Sequence, residues 1–108
     1  MTRFLCVMFL LAVAVPAGAQ DARIEKGNQV YTAQKCQACH SVAGVGNKKG
    51  ALDGVGAKLK EDEIRQWIVA APEMAAKAKA DRKPPMKAYM LPKEDVDALV
   101  AYMASLKK

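Results

Sequence analysis

The chain has 108 residues, three cysteines, one histidine and a formal net charge of +6. That length holds one small domain, near the size at which a hydrophobic core alone is only marginally stable. The basic balance invites a nucleic-acid reading, but no stripe of cations interleaved with aromatic residues supports it.

Residues 1–19 read as a cleavable signal peptide. Met1-Thr2-Arg3 is a short basic start, Phe4 to Val15 is an unbroken apolar run, and Ala17-Gly18-Ala19 is an A-x-A cleavage site. The run is too short for a permanent membrane span, so no stable membrane insertion is expected after cleavage. Cys6 would leave with the leader, and residues 20–108 would form the exported domain. The expected compartment is the periplasm of a bacterium, where free cysteines tend to pair unless they are kept reduced.

From Asp21 to about Gln34 the spacing predicts a helix, with Asp21 as its cap and Ile24, Gly27, Val30 and Tyr31 on one face. Glycine inside a helix costs about 1 kcal/mol relative to alanine. Close approach of another backbone at Gly27 is the expected compensation.

Cys36-Gln37-Ala38-Cys39-His40 follows, the attachment signature of a c-type haem. Each thiol adds across one vinyl group of the porphyrin, which fixes the cysteines three apart. A histidine next to the second thioether then becomes the proximal iron ligand. The simpler alternatives fit less well. A redox CxxC normally opens a helix after a strand, and no strand pattern precedes this one. Zinc needs a fourth donor that the exported chain lacks unless a carboxylate or a second chain supplies it. A plain disulfide leaves His40 unexplained.

Ser41 to about Leu59 reads as a long loop holding Gly44, Gly46, Gly50, Gly54 and Gly56, able to wrap closely around a flat cofactor. Glu61 to Ala71 reads as a helix, with acids in its first turn and Pro72 at its end. Ile64, Trp67, Ile68 and Ala71 form its apolar face. Trp67 is either core or an indole donor to a haem propionate. A short helix is expected from Pro72 to about Lys79. Asp81 to Leu91 should be irregular, and a last helix should run from Pro92 to about Leu106. The apolar stripe of that helix is Val96, Leu99, Val100, Met103 and Leu106, with Tyr102 beside it.

With His40 on one side of the iron and no second histidine, methionine is the natural sixth ligand. Met103 and Met74 fall on helices and read as core or filler. Met86 and Met90 both lie in the proline-rich segment, and pattern alone does not separate them.

The residues together resemble a small bacterial class I cytochrome c. The resemblance rests on Gly27 and Tyr31, Cys36-Cys39-His40, Gly54-Val55-Gly56, and Leu99 with Tyr102, and it covers Asp21 to Lys108. It implies an all-α fold in which the first and last helices cross and shorter helices and a glycine-rich loop surround one haem. It implies that an aromatic residue of the last helix packs onto Gly27. It favours Met86 as the ligand, because Met86-Lys87-Ala88-Tyr89 matches the family's M-x-x-Y segment. Gly50-Ala51-Leu52 stands where Gly-Pro-Leu would be expected, so a backbone carbonyl near Gly50 or Ala51 should accept from the histidine.

The expected function is a soluble electron carrier, without enzymatic activity, whose iron cycles between ferric and ferrous. Lys77, Lys79, Arg82, Lys83 and Lys87 flank the methionine and would meet redox partners with acidic surfaces. A haem-bearing subunit of a dehydrogenase or oxidase complex is the alternative. A peroxidatic or ligand-binding protein is a more distant one, since no spare histidine remains as a distal acid-base group.

Overall fold

The computed structural model describes residues 17–108, so the expected leader lies almost wholly outside the described residues. Among the described residues there are five α-helices: α1 (Ala17–Ala33), α2 (Val55–Lys58), α3 (Glu61–Val69), α4 (Ala71–Ala78) and α5 (Lys93–Ser105). No helix among the described residues is long and apolar enough to cross a membrane.

α1 already includes Ala17–Gln20, ahead of the expected cap at Asp21. Asp21 therefore sits inside the helix, because Ala17, Ala19 and Gln20 have high helix propensity and offset the cost of Gly18. The expected face is correct: Gly27 and Tyr31 are buried, with Ile24 and Val30 half-buried beside them. The pairing of α1 with α5 is the most extensive between any two elements. It closes at Gly27, where a β-carbon would collide with the Ala98 carbonyl and lie 2.5 Å from the Tyr102 β-carbon. The Tyr31 and Tyr102 rings pack tilted, 5.6 Å apart between centroids. Burial pushes the Tyr31 hydroxyl up to about 12, and that hydroxyl has no hydrogen-bond partner among the described residues.

The segment after His40 is more ordered than a loop. Ser41–Val42 (β1) and Val45–Gly46 (β2) form a two-strand antiparallel hairpin, with Val42 opposite Val45. Ala43 (φ 51°) and Gly44 (φ 80°) make its turn, both with the positive φ that a two-residue hairpin turn of this hand demands. The Asp53 carboxylate accepts from the Ala43 N–H at 2.8 Å and braces that strained alanine. A 3₁₀ turn at Lys48–Gly50 and the short helix α2 complete the segment. Strands two residues long carry too little periodicity to be read from sequence.

α3 ends at Val69, before the expected Ala71, and α4 begins at Ala71 after a single non-helical residue, Ala70. Pro72 thus falls within the first turn of α4, a position where its missing N–H costs nothing. The Glu63 carboxylate accepts from the Lys60 N–H at 3.1 Å and caps α3. α5 follows the expected stripe, with Val96, Leu99, Val100 and Met103 buried and Leu106 and Tyr102 half-buried. Arg65 Nη2 reaches Asp97 Oδ1 at 2.6 Å and ties α3 to α5. That pairing holds the Asp97 carboxyl below the usual carboxylate range.

The core comprises Tyr31, Ile64, Ile68, Val96, Leu99, Val100 and Met103. Few residues in a chain of this size are fully buried, and half-buried ones such as Leu52, Val55, Leu59 and Tyr89 pack around them. Much of the apolar surface available to the fold lines a cavity instead. The haem-free chain is therefore expected to lose most of its helix, as read by far-ultraviolet circular dichroism; native helix content without haem would contradict this.

Candidate haem site

The motif sits in one tight turn at the C-terminal end of α1. Lys35 takes the left-handed conformation (φ 56°), Cys36–Ala38 form a 3₁₀ turn, and the Cys36 carbonyl accepts from Cys39 N–H at 3.1 Å and His40 N–H at 2.9 Å. Both thiols are free and half-buried. Burial pushes the Cys36 thiol up.

Asn47 fastens this turn to the hairpin. Its backbone N–H bonds the Gln37 carbonyl at 3.1 Å and the His40 carbonyl at 2.9 Å, and its side-chain amide donates to the Ala38 carbonyl at 3.3 Å. Sequence reasoning gave Asn47 no role. The only available signal was an asparagine directly after a glycine, which any turn would explain.

His40 Nδ1 lies 2.9 Å from the Gly50 carbonyl oxygen. A carbonyl only accepts, so Nδ1 carries the proton and Nε2 keeps its lone pair for a metal. The acceptor is Gly50, one of the two residues expected. Burial holds the imidazole below its ordinary value, with the nearby Arg82 charge adding to the effect and the Gly50 hydrogen bond opposing it.

His40 forms part of the wall of a cavity of about 320 Å³. Leu52, Val55 and Leu59 line it from the glycine-rich segment, and Ile64, Trp67 and Ile68 line it from α3. Pro84, Pro85 and Met86 line it from the extended strap between α4 and α5. The strap is pinned by a hydrogen bond from Tyr89 N–H to the Ile68 carbonyl at 2.9 Å. The two candidate methionines part here: Met86 is half-buried at the cavity, whereas Met90 is 99% exposed. Met103 lines the cavity from α5 while belonging to the core, and Met74 is half-buried on α4.

Trp67 is half-buried at the cavity wall, so its apolar body serves both readings offered for it. Lys77, Lys79, Arg82, Lys83 and Lys87 are all exposed, and the Lys87 ammonium lies 5.0 Å from the centre of the Tyr89 ring. Among the described residues no three His, Cys, Asp or Glu side chains are grouped to hold a metal ion without a macrocycle. That donor set does not fit structural zinc.

An apolar cavity, two free thiols in the turn that leads into His40 and an imidazole with a free Nε2 at the cavity wall fit one prosthetic group, a covalently attached haem. The family model for cytochrome c matches residues 24–107, and the chain belongs to that family. It is a haem-binding electron-transfer protein of the small class I type, with Cys36 and Cys39 in the attachment motif. No curated protein and no solved structure matches the chain significantly.

Proposed function

We propose that the protein is a soluble, exported carrier that holds one haem between His40 and Met86 and passes single electrons between periplasmic partners. The observation that carries this reading is the cavity, with an imidazole oriented by the Gly50 carbonyl and a single strap methionine at its walls. The haem, when bound, supplies a one-electron ferric/ferrous couple, which a thioether ligand biases toward ferrous.

The chain's own residues do the rest. Cys36 and Cys39 tether the group, so it is not lost on each encounter. Gly50 fixes the tautomer and plane of His40. The Tyr89–Ile68 hydrogen bond holds the strap, so Met86 keeps one position in both oxidation states and little reorganisation accompanies transfer. Leu52, Val55, Leu59, Ile64 and Ile68 exclude water from the iron's surroundings. Trp67, at the cavity wall, would donate its indole N–H to a propionate. With His40 and Met86 both holding the iron, and no second histidine in the sequence to act as an acid-base group, the site would favour electron transfer over substrate chemistry.

The exposed cations around the strap form the docking surface for acidic partners. A long-range attraction of this kind weakens as the screening length falls from about 30 Å at 0.01 M salt to about 8 Å at 0.15 M. Oxidation of the ferrous holoprotein by the hexacyanoferrate(III) anion, followed by stopped flow, should therefore slow several-fold over that range. Lys83→Glu together with Lys87→Glu should slow it further at low salt. Rates indifferent to salt and to these charges would remove the docking surface from the reading.

A further inference from the structure

The Gly50 carbonyl that orients His40 has a cation beside it. A β-carbon on Gly50 would run into the Arg82 guanidinium and the Cys39 carbonyl and would lie 2.9 Å from His40 Nδ1. The side of residue 50 that any other amino acid would fill is therefore occupied by an arginine reaching in from the strap, four residues before Met86. Among the described residues no carboxylate lies within ion-pair distance of Arg82, so its charge is not neutralised locally.

We propose that Arg82 is a positioning residue for the proximal histidine: admitted by the missing side chain at Gly50, it holds a positive charge against the His40–Gly50 hydrogen bond and biases the bound haem toward ferrous. The proposal rests on His40 being the iron ligand. Ferric haem carries one more positive charge than ferrous haem, so a fixed cation nearby disfavours the ferric state. The same cation, set beside the carbonyl that accepts from Nδ1, draws electron density from the imidazole and makes it a weaker donor, which acts in the same direction. One strap thus delivers a ligand to one face of the iron and a charge to the hydrogen bond behind the other ligand.

The test uses the holoprotein and its Arg82→Gln, Arg82→Lys, Gly50→Ala and Gly50→Ala/Arg82→Gln variants. Potentials are read by spectroelectrochemistry and the His40 Nδ1–H resonance by NMR of the ferrous form. Solvent on the outer side of Arg82 screens its charge, so Arg82→Gln is expected to lower the ferrous-to-ferric ratio at fixed poise about threefold, or about 28 mV for one electron. The Nδ1–H resonance should move with it, and Arg82→Lys should restore most of the shift. Gly50→Ala should lower the ratio in the parent chain, and by less once Arg82 is gone, the remainder coming from its contact with the Cys39 carbonyl.

An unchanged potential in Arg82→Gln, or equal shifts in the Gln and Lys variants, overturns the proposal. So does a potential shift with a stationary Nδ1–H resonance, which would place Arg82 on a propionate. A Gly50→Ala shift that is as large without Arg82 overturns the role given to Gly50. Ferric and ferrous spectra separate the two levels of failure. If they show six-coordinate iron in every variant, the failure belongs to Arg82 alone, whereas a parent protein without six-coordinate iron overturns the ligand reading as well.

Discussion

Replacing Met86 with alanine should open the iron's sixth position and abolish the methionine–iron charge-transfer band of the ferric protein. The ferrous-to-ferric ratio at fixed poise should fall about a hundredfold, or about 120 mV, because the thioether is the ligand that favours ferrous iron. The reduced variant should bind carbon monoxide, since the apolar cavity admits a small ligand once the methionine side chain is gone. Met90→Ala should leave every one of these properties unchanged. Met90 is 99% exposed, and the Tyr89 N–H bond to the Ile68 carbonyl pins the strap between the two methionines. Met90 could replace Met86 only by breaking that bond and turning the strap over. A charge-transfer band that survives in Met86→Ala and disappears in Met90→Ala would reverse the assignment.

The largest stability effect is expected at Gly27. A β-carbon there meets backbone, the Ala98 carbonyl group, and not the movable end of a side chain. No rotamer change relieves such a contact, so α1 and α5 must move apart along their whole interface. Overpacking of this kind costs about 3 kcal/mol, against which the better helix propensity of alanine returns about 1 kcal/mol. Gly27→Ala should therefore destabilise the holoprotein by about 2 kcal/mol, which lowers the melting temperature by roughly 10 °C for a domain of this size. Gln29→Ala, on the exposed side of the same helix, should stay within about 0.5 kcal/mol of the parent. Thermal unfolding followed at 222 nm compares the two. Equal melting temperatures would mean that the helix crossing tolerates a side chain at Gly27.

The parts of the fold legible in the sequence were those fixed by period or by covalent chemistry. α3 and α5 carry long apolar stripes with acids at their N-terminal ends, and both form close to where those signals place them. The haem motif is legible because the thioether chemistry constrains three residues within five. Gly27 could be read as a contact point because a glycine there is costly without one. What stayed hidden depends on tertiary placement. The β1–β2 hairpin is too short to show alternation, and its turn uses Ala43, a residue with no preference for positive φ. Asn47 and Arg82 gain their roles only when the hairpin and the strap fold back on the His40 turn. Met86 and Met90 lie four residues apart in one strap and differ in burial on either side of the Tyr89 bond to α3. Pattern could not divide them, whereas burial does.

The proposed centre is a haem held by His40 and Met86 and built for electron transfer. Its most direct test is the absorption spectrum of the reduced holoprotein before and after carbon monoxide is added at neutral pH. Two strong ligands predict a six-coordinate low-spin spectrum that carbon monoxide leaves unchanged. Tight carbon monoxide binding by the unmodified protein would contradict it, and would place this chain among haem proteins with an open site.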